Sequence, residues 1–144
     1  MFNQFSESGR TLMAAAREEA LRLQHEYIGP EHLLLAIAHE PDDKAARLLQ
    51  AFDVDLAKLG KDLETEMGTG VQTETPEQLP FAPGAKRVLE QTREEAQGLG
   101  HQHLRSEHVL LALLGEGQGI VPKVLADADL NLEAVRARVA GPFG

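Results

Sequence analysis

Residues 5 to 68 of this chain recur, without a gap, as residues 81 to 144. At an offset of 76, Phe5 falls on Phe81, Arg17-Glu18-Glu19-Ala20 on Arg93-Glu94-Glu95-Ala96, and Leu23 and His25 on Leu99 and His101. Glu31-His32-Leu33-Leu34-Leu35-Ala36 falls on Glu107-His108-Val109-Leu110-Leu111-Ala112. Glu40, Leu49, Asp53 and Leu56 fall on Glu116, Leu125, Asp129 and Leu132. Polar residues repeat along with leucines, so the match is more than a shared apolar period. A repeat of this kind dictates architecture. It predicts two copies of one unit packed about a pseudo-two-fold axis.

Each copy reads as four helices. Leu12, Met13, Ala16, Ala20 and Leu23 recur at helical spacing over residues 6 to 24, as do Ala85, Val88, Leu89, Ala96 and Leu99 over 82 to 99. Second helices begin at Glu31 and Glu107. Their runs 33–38 and 109–114 are apolar all round, and Leu and Ala dominate them, which favours helix over buried strand. Third helices cover about 43 to 52 and 120 to 127, the latter with Pro122 in its first turn. Fourth helices follow Asp55 and Asn131, two good N-caps at equivalent positions. Residues 69–80 form a polar linker with Gly and Pro. The expected fold is all-α: one domain over 1–144, with repeat one at 5–68 and repeat two at 81–144.

Composition narrows the function. Without Cys there is no disulfide, thiolate metal site or cysteine nucleophile, which suits a reducing cytoplasm. No apolar run approaches the roughly 18 residues of a membrane span. The net charge of −9 argues against nucleic-acid binding. Gly115-Glu116-Gly117-Gln118-Gly119 follows a helix and lacks the Lys-Ser/Thr of a phosphate loop, so it reads as a helix–helix turn. No nucleophile elbow is present. Neither catalytic residues nor a cofactor are expected.

The stretch Ala16-Arg17-Glu18-Glu19-Ala20, the run from His25 to Leu35 and its echo at 101 to 111 resemble the Clp N-terminal repeat domain. This is the N-domain of the Clp-family AAA+ unfoldases, and the resemblance is nearest to the ClpC branch. It covers essentially the whole chain. It implies an eight-helix domain, monomeric when isolated, that docks adaptors and captures substrates for an unfoldase and protease. A stand-alone repeat protein that sequesters substrates, adaptors or cyclic-peptide antibiotics is the main rival reading. The chain departs from the family pattern at Pro30 and Ser106, where Thr is usual before the Glu, and at Arg105, which stands opposite Gly29.

Glu31 and Glu107 are the leading site candidates, each in the first turn of a helix where a carboxylate is favoured. Either they serve the helix start alone, or, as the resemblance implies, each grips the guanidinium of phosphorylated arginine. Pro30 removes one N–H donor, whereas Ser106 keeps its own and offers a hydroxyl, so the second copy is expected to be the better site. The resemblance further implies an adaptor or cyclic-peptide groove at Phe2, Arg10, Phe81, Lys86 and Glu90. His32 and His108 read as hydrogen-bonded structural residues. His101 and His103 invite a metal or small-enzyme reading, but no third ligand completes a set.

Overall fold

The computed structural model describes residues 4–71, 79–126 and 128–141. Among the described residues eight helices follow in chain order: α1 (Glu7–Arg22), α2 (Pro30–Ala38), α3 (Lys44–Ala51), α4 (Leu56–Met67), α5 (Pro83–Gly98), α6 (Ser106–Leu114), α7 (Ile120–Leu125) and α8 (Leu132–Ala140). Local chemistry accounts for their starts. Ser6, Asp43, Asp55 and Asn131 accept hydrogen bonds from the backbones of Gly9, Ala45, Lys58 and Ala134. Pro30 and Pro83 stand in the first turns of α2 and α5, where proline costs no helical bond.

The apolar runs lie where the repeat requires them. Leu33, Leu34, Leu35, Val109, Leu110, Leu111 and Leu113 have no exposed surface. Neither central helix is covered by its own repeat alone. α2 packs on α1 and α4 but also on α6 and α7, and α6 packs on α5 and α8 but also on α3 and α1.

Two backbone clasps lock the repeats reciprocally. The N–H of Ser6 donates to the carbonyl of Leu104 at 2.8 Å, and the N–H of Leu104 donates to Gln4 at 2.9 Å. The N–H of Ala82 donates to Ile28 at 2.9 Å, and that of Ile28 to Pro80 at 2.9 Å. Adding 76 to one clasp generates the other with the repeats exchanged, as a pseudo-two-fold axis demands. These are isolated bridges, and the described residues contain no strand. Gly9 makes the first clasp possible, because a Cβ there would sit 2.4 Å from the Leu104 carbonyl oxygen. The linker is not wholly a connector: Leu79 is buried and Pro80 holds the second clasp.

Two histidine pairs fix the entries to α2 and α6. The Gly29 N–H donates to His32 Nδ1 at 2.8 Å, so Nε2 carries the ring proton. That nitrogen lies 2.8 Å from His25 Nδ1, and His25 Nε2 donates to the Gly68 carbonyl at 3.0 Å. In the second copy the Arg105 N–H donates to His108 Nδ1 at 2.9 Å, and His108 Nε2 lies 2.8 Å from His101 Nδ1. His32 and His108 are therefore the structural residues expected from the sequence. Burial, reinforced by the neighbouring His25 and His101, pulls each down to about 4.

Two outcomes are expected. Leu34→Ala and Leu110→Ala should each cost about 2–5 kcal/mol in denaturant unfolding; losses near ~0.5 kcal/mol, typical of surface sites, would contradict their central burial. The second concerns acid. Unfolded histidine takes up a proton near pH 6.5, but folded His32 and His108 do so only near 4. Stability should be full above pH 6.5 and fall as pH drops toward 4, by on the order of 3 kcal/mol per histidine. Unfolding midpoints that stay flat across this window would refute the lowered pKa of His32 and His108.

Candidate functional site

The repeat places Glu31 and Glu107 at equivalent points, but their surroundings differ. Glu31 is the second residue of α2, and its carboxylate curls back over Gly29. A Cβ on Gly29 would stand 2.2 Å from Glu31 Oε1, so only glycine permits this conformation. Glu31 is 9% exposed and has no ion pair among the described residues. Burial pushes its carboxyl up, against smaller lowering effects from its own backbone N–H and from His25. It faces a cleft of about 230 Å³ bordered by Gly84, Arg87, Glu116 and the turn before α7. Arg87 Nη2 lies 3.9 Å from Glu116 Oε2, and the Arg87 side chain is 58% exposed.

Arg105 occupies the place of Gly29 in the second copy. The Glu107 side chain is 2% exposed and lies 3.5 Å from Lys44 Nζ, with Arg105 Nη1 at 4.0 Å. Its Oε2 is buried without a hydrogen bond, as is the Ser106 hydroxyl. This corrects the expected capping role of Ser106. Arg105 is the cap residue, and its N–H is satisfied by His108, leaving the Ser106 hydroxyl with nothing to cap. The Ser106 N–H is also spoken for, since it donates to Ser8 Oγ at 3.3 Å. At the equivalent contact in the first copy, Pro30 Cγ would meet a Cβ on Gly84 at 3.2 Å. Pro30 thus lacks a donor at the one place where its neighbour lacks an acceptor.

A second paired exchange lies beside the cleft. Buried Glu19 is held by His39 Nδ1 and by Arg22 Nε, the latter at 2.8 Å. Its counterpart Glu95 is gripped in two places by Arg136, at 2.7 and 3.0 Å. Those bonds hold the Glu95 carboxyl below its usual range. Gly60 stands opposite Arg136, and Gly115 opposite His39. A Cβ on Gly60 would lie 3.1 Å from the His39 ring. Each repeat therefore supplies one carboxylate-binding side chain (His39 or Arg136) and one glycine, from exchanged positions. In the second repeat this leaves a cleft of about 370 Å³ that shares Arg87 and Glu116 with the Glu31 cleft.

The other sequence candidates are placed as follows. Arg10 is exposed on α1, and Lys86 and Glu90 are exposed one turn apart on α5. No hydrogen bond or ion pair joins them among the described residues. Phe81 is half-buried against the core at the second clasp, and Phe2 lies outside the described residues. His101 is engaged with His108, His103 is exposed, and no group of three potential metal ligands exists among the described residues. No described helix is long and apolar enough to cross a membrane. Lys44 and Arg87 were not singled out by sequence reasoning, and Glu116 stood out only as a repeat match and turn residue. Comparing unlike residues at the 76-residue offset would have drawn attention to the first two.

An all-α double repeat with paired buried glutamates at its central helix starts defines the class. The chain belongs to the Clp repeat (R) N-terminal domain family, whose model matches residues 4–128 and again 85–143. It is 39% identical over its full length to the negative regulator of genetic competence ClpC/MecB of Bacillus subtilis. It is 38% identical to the ATP-dependent Clp protease ATP-binding subunit ClpC of Staphylococcus saprophyticus. The chain spans only 18% and 17% of those relatives. Among solved structures, the N-terminal domain of ClpD from Arabidopsis thaliana matches with a TM-score of 0.74 and 22% identity, covering 95% of both chains. A ClpV N-domain in complex with a VipB peptide matches at 0.76 and 15% identity, covering 96% of this chain and 86% of that one.

Burial without a counter-ion makes ionised Glu31 a cost to the fold. Glu31→Gln should therefore raise the melting temperature at pH 7, above the ordinary carboxylate range, where a raised folded-state pKa costs stability. The gain should vanish below the ordinary carboxylate range, where glutamate is protonated in both folded and unfolded chains. Thermal unfolding of both proteins across pH checks this, and a less stable variant at pH 7 would contradict it.

Proposed function

We propose that this domain is a protein-binding module of a Clp-type unfoldase and that Glu31 receives the guanidinium of phosphoarginine-marked substrates. One observation carries the reading. A carboxylate nine-tenths buried, and without a cation of its own, faces a cleft with an exposed arginine on its border. A carboxylate offers two acceptors to a planar guanidinium, and an arginine fork suits a phosphate. The ligand would supply the missing counter-ion to Glu31. Family membership supports binding without chemistry, because the chain corresponds to an N-terminal portion of ATP-driven relatives. The ClpV N-domain complexed with a VipB peptide supports peptide capture by this fold.

Glu107 and Ser106 form the equivalent place in the second copy. Adaptor docking, and binding of cyclic-peptide antibiotics, belong in this proposal to the surface bearing Arg10, Phe81, Lys86 and Glu90. Phe2 is assigned to that surface by resemblance alone.

Calorimetric titration with matched peptides tests the reading. The phosphoarginine peptide should bind and the plain arginine peptide should bind more weakly. A charge-assisted hydrogen bond is worth about 1.5–3 kcal/mol, so Glu31→Gln should weaken the phosphorylated peptide roughly tenfold or more. Equal affinity for the two peptides would remove the phosphoarginine function.

A further inference from the structure

We propose that the second copy's site is closed by the domain's own cations, Lys44 and Arg105. The domain then offers a single open guanidinium site, at Glu31, with Arg87 as its phosphate-holding residue. The ligand assignment rests on the phosphoarginine reading. The closure does not.

Three observations carry the inference. First, Lys44 opens α3 of repeat one and reaches across to Glu107 of repeat two, placing its ammonium 3.5 Å from Oε2. Arg105 approaches the same oxygen at 4.0 Å. These two cations stand where an incoming guanidinium would have to sit. Their counterparts around Glu31 are Ile120 and Gly29, neither of which carries charge. One glutamate is thus internally neutralised and the other is not.

Second, the clefts are not equivalent. The first-repeat counterpart of the Arg87 cleft is about 260 Å³ and is lined by Ser8, Thr11, Glu40, Asp42 and Asp43 among others. Glu107 does not line it, and neither does any Lys or Arg. Thr11 stands where Arg87 stands in the other copy. A phosphate entering there would meet an acidic wall with no cation to balance it.

Third, Arg87 is placed to hold an anion. Among the described residues its one ion-pair partner, Glu116, is a distant 3.9 Å away, and its side chain is 58% exposed. It borders the cleft that Glu31 faces, so one ligand group can meet Glu31 while another meets Arg87. The wider cleft along Glu116 and Gln91 gives the rest of a peptide a path away from the site.

Two arms test the inference separately. In the first, the full 144-residue domain is treated with a water-soluble carbodiimide and glycine methyl ester, and labelled carboxylates are mapped by mass spectrometry. Glu31 should label and Glu107 should stay protected. Lys44→Met keeps the stem and removes the charge, and should open Glu107 to labelling while circular dichroism reports an unchanged fold. Equal labelling of the two glutamates in the unaltered protein would overturn the closure. So would a folded Lys44→Met variant whose Glu107 remains protected, since burial and not Lys44 would then be the cause. In the second arm, calorimetry with a phosphoarginine peptide should give one site per domain, and Arg87→Met should weaken it about tenfold or more without altering Glu31 labelling. Two sites per domain would overturn the proposal. Absence of peptide binding, with the labelling pattern intact, would remove phosphoarginine and the role of Arg87 but would support the single open carboxylate.

Discussion

Everything in this domain follows from two helices that are apolar on every side. A helix with one greasy stripe is satisfied by one neighbour, but α2 and α6 must be covered all round. Four short helices cannot do that within one repeat, so each repeat contributes helices to the other's centre. The reciprocal clasps at Leu104 and Ile28 are the backbone expression of that exchange. Residues far apart in the chain consequently meet at the starts of α2 and α6, which is where the candidate sites lie.

Burying a helix start creates its own difficulty, because the first N–H groups of a helix have no internal partner. The histidine pairs resolve part of it by accepting the cap residue's N–H on a neutral ring. Contact of Ser8 with Ser106 resolves another part, and in the other copy Gly84 against Pro30 removes donor and acceptor together. The buried Glu19 and Glu95 are likewise held from different directions, by His39 and Arg22 in one repeat and by Arg136 in the other. Two sequence copies can thus drift in residue type while each local balance of charge and hydrogen bonding is kept. Glu31 stands outside this pattern. Its carboxylate is buried, raised in pKa by that burial, and left without a cation, which is a reason to look for one in a ligand.

The architecture was legible in the sequence because helix period, caps and the 76-residue offset are local or self-referential signals. Asp55 and Asn131 cap as their residue types suggest, and the runs 33–38 and 109–114 are central except for half-buried Leu114. The site was only half legible. Glu31 and Glu107 stood out as a pair, but nothing adjacent in sequence says that Lys44, from the other repeat, lies on Glu107. The expected advantage of Ser106 over Pro30 counted donors at the helix start without knowing what faces them. Ser8 already takes the Ser106 N–H, and the serine hydroxyl is buried and idle. Arg87 was invisible for the same reason: its importance comes from the cleft it borders, not from its neighbours along α5.

Membership of the Clp repeat family and likeness to N-domains of larger ATP-driven proteins give this geometry a biological setting. The central claim is that an unbalanced carboxylate, made by burying Glu31 against Gly29, is a receptor for a cationic side chain. The most direct test is a crystal structure of the domain grown with a phosphoarginine peptide. The account predicts the guanidinium against Glu31, the phosphate against Arg87, and Lys44 still on Glu107. A peptide bound with its phosphoarginine away from Glu31, or with Glu31 remaining unpaired beside it, would contradict the account.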